Sequence, residues 1–190
     1  MITVRPPLII ISGPPGAGKS TLARPLARHL QLPLVAKDPI KEQLADAIGE
    51  PALGLSSQLG LAAIKHLYSM ADELIRYGHG VVVESFFHRG LAEADLRPLI
   101  SRSNAVLIHV RADDALLLSR FERRAEDPDR HPIHRDASRF ADIKHYLAEG
   151  VADMLELDCP HIVIDTTYGP IDAEEVAFMV QDELGLLGDT

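Results

Sequence analysis

The run Ile9-Ile10-Ile11-Ser12-Gly13-Pro14-Pro15-Gly16-Ala17-Gly18-Lys19-Ser20-Thr21 leaves this chain few folds to choose from. Its isoleucines read as a short buried strand, and a glycine-rich turn then opens a helix. Gly13 to Ser20 match the pattern G-x-x-x-x-G-K-[ST] without a gap. Gly13, Gly16 and Gly18 can take backbone angles closed to other residues, so successive N–H groups turn inward on phosphate oxygens. The helix that follows adds its positive N-terminal end beneath the same anion. Lys19 is placed to reach the β- and γ-phosphates, and the Ser20 hydroxyl to hold Mg²⁺. A chance glycine-rich turn has no reason to fall between a strand and a helix in that order. The expectation is a nucleoside triphosphate site formed by Gly13, Pro14, Pro15, Gly16, Ala17, Gly18, Lys19, Ser20 and Thr21.

Beyond the loop, apolar β-rich runs alternate with helical patterns. Strands are expected near 7–12, 33–37, 80–85, 105–110 and 161–165. Helices are expected near 19–30, 39–48, 56–77, 90–101, 113–126, 137–156 and 172–184. This is an α/β sheet with right-handed crossovers and helices on both faces. No repeat or linker divides the 190 residues, so one domain over 1–190 is expected. Gly49 to Gly60, with Pro51 and Gly54, reads as a mobile loop.

In open α/β sheets ligands gather at the carboxyl ends of the strands. Those ends carry Asp38, Glu84 and Asp165, with Arg111 after the fourth strand. Asp38, followed by Pro39, could serve simply as a helix N-cap. It is also a carboxylate placed to accept a proton from a substrate hydroxyl, and the two roles are compatible. Glu84 closes the run Gly80-Val81-Val82-Val83-Glu84 and is a candidate for Mg²⁺ through water, or for substrate. Asp38, Lys41, Glu84 and Arg89 make up the candidate acceptor-binding set.

Arg120, Arg123, Arg124, Arg130, Arg135 and Arg139 crowd one stretch that contains no lysine. Arg120 and Arg124 share a helix face, and Pro128 and Pro132 then interrupt the chain. Taken alone this is a solvated charged helix, because five acids are interleaved with the arginines. After a phosphate-binding loop it reads as a lid over about 124–138 that closes on the phosphates, with Arg120, Arg124 and Arg130 as its catalytic guanidinium groups. His131, His134 and Asp136 do not form a metal site in this reading, since a proline separates the histidines and no element fixes them on one face.

The net charge of −9 argues against broad nucleic-acid binding, which requires a cationic surface. Nothing near Met1 to Pro7 resembles a signal peptide, and no run is long enough to span a bilayer. The lone Cys159 cannot close an internal disulfide, which fits a reducing cytoplasm. A guanine-specific N-K-x-D motif is missing: Ala36-Lys37-Asp38-Pro39 lacks the Asn and the spacing. Leu55-Ser56-Ser57-Gln58 lacks the paired glycines of a transport ATPase signature.

Gly13–Thr21, Asp38, Glu84, the Arg120–Arg130 region and Asp165-Thr166-Thr167 together resemble the small P-loop kinases over nearly the whole chain. The resemblance is to the AAA-type ATP-binding kinases, relatives of chloramphenicol phosphotransferase, gluconate and shikimate kinases, polynucleotide 5′-kinase and zeta toxin. It implies an α/β P-loop NTPase fold with a five-stranded parallel sheet in the order 2-3-1-4-5 and an arginine-rich lid. It implies ATP and Mg²⁺, adenine near Thr167 and Tyr168, Arg120 or Arg124 packed on the base, and Asp38 as general base. Glu84 stands where many relatives carry Asp. The implied activity is transfer of the γ-phosphoryl group of ATP to a hydroxyl of a small-molecule acceptor. The alternatives are a non-catalytic ATP-binding regulator and a nucleic-acid 5′-hydroxyl kinase.

Overall fold

A computed structural model describes residues 5–169 and 171–186. The sheet is built around β1 (Pro7–Ser12), whose Leu8, Ile9, Ile10 and Ile11 are fully buried. β1 lies between β3 (Val81–Glu84) and β4 (Asn104–Arg111), with β2 (Leu34–Ala36) beyond β3 and β5 (His161–Asp165) beyond β4. Every pairing is parallel, and the order is β2-β3-β1-β4-β5, as the resemblance implied.

Parallel neighbours require crossover helices, and these cover both faces. Ile9 and Ile11 pack against Leu22 and Leu26 of α1 (Lys19–His29), Leu117 of α5 (Asp114–Ala125) and Val176 and Val180 of α7 (Ala173–Glu183). Leu8 and Ile10 point the other way, into Leu67, Ala71 and Ile75 of α3 (Ser56–Arg76) and Leu96 and Leu99 of α4 (Ala92–Ile100). Burial on both faces is why the first strand shows no polar alternation. A smaller cluster of Ala45, Ala52, Leu59 and Ile133 joins α2 (Lys37–Ile48), α3 and the lid.

Two expectations are corrected. The helix expected over 137–156 is α6 (Phe140–Ala148) and stops well short. Gly150 turns at φ +68, and Met154, Leu155 and Leu157 return to the second core as irregular chain. Apolar residues in a returning loop mimic helical spacing, and that misled the period. The Gly49–Gly60 segment is not an open loop: a 3₁₀ turn over Glu50–Leu55 runs directly into α3, and Ala52 and Leu59 are buried.

Within the expected lid, α5 is followed by turns and two 3₁₀ turns, Pro132–His134 and Asp136–Ser138. Among the described residues no helix is long and apolar enough to cross a membrane.

Candidate active site

The glycine loop between β1 and α1 owes its shape to contacts that admit no side chain. Gly13 sits at φ +134, and a Cβ there would stand 1.9 Å from the Val110 carbonyl oxygen. At Gly16, φ +87, a Cβ would meet the Leu117 carbonyl at 2.8 Å. Gly18, at φ +95, caps α1 without a side-chain hydrogen bond. The first-turn N–H groups of Lys19, Ser20 and Thr21 therefore have no intrahelical acceptor, and an anion is the partner that suits them. The residues present fit a bound triphosphate.

Lys19 is buried and donates from Nζ to the Pro14 carbonyl at 2.9 Å. Burial lowers its pKa to about 8, although Glu84 and Asp38 pull the other way. Ser20 Oγ donates to Glu84 Oε2 at 3.2 Å. Glu84 is itself buried, and burial raises its pKa against the opposing charge of Lys19. A hydroxyl and a carboxylate side by side at the loop form a hard-oxygen pair that fits Mg²⁺.

Asp38 is not the helix N-cap. α2 begins one residue earlier, with Ala36 as cap, so Asp38 lies in the first turn and its carboxylate faces the cleft. Burial would raise its pKa, yet His134, Lys37, Arg130 and Lys19 together hold it down at about 2. Asp38 Oδ2 lies 3.4 Å from the Arg130 guanidinium and 3.9 Å from His134 Nδ1.

The arginines divide into two groups. Arg120 donates to the Gly16 carbonyl at 3.3 Å, to Thr166 Oγ1 at 2.7 Å and to the Thr166 carbonyl at 2.9 Å. It ties the glycine loop to the segment after β5. Arg124 and Arg130 instead converge on Asp136, whose Oδ2 accepts from their Nε atoms at 3.0 and 2.8 Å. Arg124 also lies over the Phe121 ring, 5.0 Å from its centroid.

Gly16 to Thr21, Asp38, Glu84, Arg120, Arg124, Arg130, Thr167 and Tyr168 line one cleft of about 1820 Å³ at the carboxyl ends of the strands. Three residues of the expected loop site, Gly13, Pro14 and Pro15, do not line this cleft: Gly13 is packed on the Val110 backbone, Pro14 accepts from Lys19 Nζ and borders the separate cavity, and Pro15 is half-buried.

Two expected acceptor residues are not brought there. Lys41 is buried beneath the lid, donating to Ser56 Oγ at 2.8 Å and the Ile133 carbonyl at 3.2 Å. Arg89 faces a separate cavity, paired with Asp153 at 3.3 Å and with Glu156. Its partners come from the irregular chain after α6, where sequence reasoning expected helix.

The lid histidines have carboxylate partners: His131 Nε2 lies 3.0 Å from Asp46 Oδ1, and His134 Nε2 lies 2.7 Å from Glu42 Oε1. Among the described residues no group of three or more His, Cys, Asp or Glu side chains could hold a metal ion. Asp136 and the His134–Glu42 pair were missed as site residues. Asp136 sits 12 residues from Arg124 across two prolines and 6 from Arg130 across one, so no periodic spacing marks it. Thr166 shows itself only by its place beside Thr167 at the end of the last strand.

Comparison with known proteins bears on the family and the fold. The AAA domain family model matches residues 8–149. A shikimate kinase from Corynebacterium efficiens is 30% identical over 150 residues, covering 70% of this chain and 85% of that protein. A cytidylate kinase from Pyrobaculum islandicum is 30% identical over 167 residues, covering 85% and 84%. A crystal structure from Chloroflexus aurantiacus, provisionally described as a kinase, superposes with a TM-score of 0.84 at 31% identity over 94% of this chain and 98% of that one.

Proposed function

Because the chain belongs to the AAA-domain family of P-loop kinases, we propose that it transfers the γ-phosphoryl group of ATP to a hydroxyl of a small molecule, with Mg²⁺. The observation that carries this reading is Asp38: a carboxylate at a strand end, facing the same cleft as Lys19 and the lid arginines. The relatives' names point to two different acceptors, shikimate and cytidylate, so neither is carried over to this chain.

The loop amides and Lys19 hold the β- and γ-phosphates. Arg120, tied to Gly16 and Thr166, lies on the adenine side near Thr167 and Tyr168. Arg124 and Arg130 lie on the γ-phosphate side, where charge develops on the transferring group. Ser20 and Glu84 would hold Mg²⁺, which when bound neutralises charge between the β- and γ-phosphates.

The acceptor oxygen bonds to the γ-phosphorus as the bond to the β–γ bridging oxygen breaks, and ADP leaves with that electron pair. The hydroxyl proton passes to Asp38. With a pKa of about 2, Asp38 is a weak base. That suits a loose transition state in which the proton leaves late, and its first task is to orient the hydroxyl. Arg130 must then exchange its contact with Asp38 for the phosphoryl group as the acceptor hydroxyl arrives.

The test follows label from [γ-³²P]ATP through a panel of hydroxylated acceptors. Label recovered on an acceptor supports a kinase. Label that stays on ATP in every acceptor tube while ATP binds tightly would favour the non-catalytic ATP-binding regulator.

A further inference from the structure

The lid meets α2 along one line. Asp38, Glu42 and Asp46 follow one another at four-residue spacing, so they share a face of that helix. Arg130 reaches Asp38 at 3.4 Å, His134 Nε2 lies 2.7 Å from Glu42 and His131 Nε2 lies 3.0 Å from Asp46. Beside this acidic line the lid inserts Ile133, which is fully buried against Ala45, Ala52 and Leu59.

Two polar side chains grip the Ile133 backbone from beneath. Lys41 Nζ donates to Ser56 Oγ at 2.8 Å and to the Ile133 carbonyl at 3.2 Å. Ser56 Oγ donates to the same carbonyl at 2.7 Å. Because Ser56 accepts from Lys41, its own proton is turned onto Ile133. Lys41, Ser56 and Ile133 are all buried. Both bonds of the ammonium go to neutral acceptors, and burying it there lowers its pKa to about 8. An apolar side chain of similar length would fill the space without that desolvation cost, so stability does not account for the lysine.

The chain from Arg130 to Ile133 is stiff. Pro132 opens a 3₁₀ turn, and His131 Nδ1 accepts from the Ile133 N–H at 3.1 Å. Fixing the Ile133 carbonyl therefore limits where Arg130, three residues earlier, can point. Neither Lys41 nor Ser56 lines the cleft, so both act through the lid.

We infer that Lys41 and Ser56 are positioning residues for phosphoryl transfer: by holding the Ile133 carbonyl they set Arg130 toward the γ-phosphate. This rests on the kinase reading above, in which Arg130 serves that phosphate.

The test is calorimetric titration of the full chain with AMPPNP, which carries a γ-phosphoryl group, and with ADP, which does not. It needs neither an acceptor nor turnover. Lys41→Met and Ser56→Ala should each lower AMPPNP affinity about threefold, because one donor to Ile133 survives in each. Together they should lower it about thirtyfold, more than the product of the two, because the carbonyl is then left bare. ADP affinity should stay within about twofold in all three, which also shows an intact fold. Arg130→Gln alone should lower AMPPNP affinity about thirtyfold, and adding both substitutions to it should cost nothing more. A double variant that keeps the wild-type preference for AMPPNP, or loses AMPPNP and ADP equally, overturns the proposal. So does a further loss in the Arg130→Gln background. Arg130→Gln that binds both nucleotides as the wild type does overturns the γ-phosphate role of the lid itself, and the proposal with it.

Discussion

Arg130 of the lid and Asp38 in the first turn of α2 meet at 3.4 Å, so the carboxylate that faces the acceptor is tied directly to the lid. The same guanidinium reaches Asp136 at 2.8 Å and Glu42 at 3.9 Å. Arg130 therefore links the carboxylate that faces the acceptor to the buried carboxylate that organises the lid.

Asp136 is the anchor of that arrangement. It is almost fully buried and accepts from both Arg124 and Arg130. Asp136→Asn removes the anion and leaves Arg124 without its carboxylate, while Arg130 keeps only Asp38 and Glu42. Stability should fall by about 1–3 kcal/mol, because charge-assisted hydrogen bonds to a buried acceptor are lost while the guanidinium groups keep some contact with solvent. Turnover should fall more than ATP affinity, since the lid arginines lose their aim. Thermal denaturation and steady-state kinetics read the two effects separately.

Lys19 gives a pH signature with two opposite signs. Its folded pKa of about 8 lies below its ordinary value of 10.5, so between these pH values the unfolded chain binds more protons. The ATP-free protein should gain stability as pH rises through that window, and the similarly depressed Lys41 adds to the gain. ATP affinity should fall over the same range, because neutral Lys19 no longer pairs with phosphate. Calorimetry at pH 8.5 in buffers of different ionisation enthalpy should show proton uptake on ATP binding. Uptake of no protons at that pH would refute the depressed lysine.

Two glycines separate conformational need from tolerance. Gly13→Ala puts a Cβ 1.9 Å from the Val110 carbonyl oxygen at φ +134, and no side chain can move to relieve it. A loss of about 3 kcal/mol or more, together with loss of ATP binding, is expected. Gly60 lies inside α3, and a methyl group added there would meet nothing within 4 Å. Gly60→Ala should stabilise by about 0.5–1 kcal/mol through helix propensity and a less flexible unfolded chain. Urea denaturation of both variants checks the contrast.

What could be read in advance was local in sequence. The loop glycines, Lys19, Ser20 and Asp38 follow from short motifs at strand ends, and the strands followed from unbroken apolar runs such as Leu8–Ile11. What could not be read depended on distant partners. Arg89 looked like a free loop arginine because its carboxylates lie 64 and 67 residues on. Lys41 looked like a cleft cation because its acceptor Ile133 lies 92 residues away, across the lid. The period over 137–156 ran on past Ala148 because Met154 and Leu155 are apolar for the sake of the core rather than of a helix.

The most direct measurement compares Asp38→Asn with wild type for both ATP affinity and acceptor-dependent turnover. Asparagine keeps the size and the first-turn position but cannot take the hydroxyl proton. Turnover should fall about a thousandfold, within the range for loss of a general base, while ATP affinity stays within about threefold. Turnover unchanged in Asp38→Asn would contradict the assignment of this carboxylate as the group that receives the acceptor.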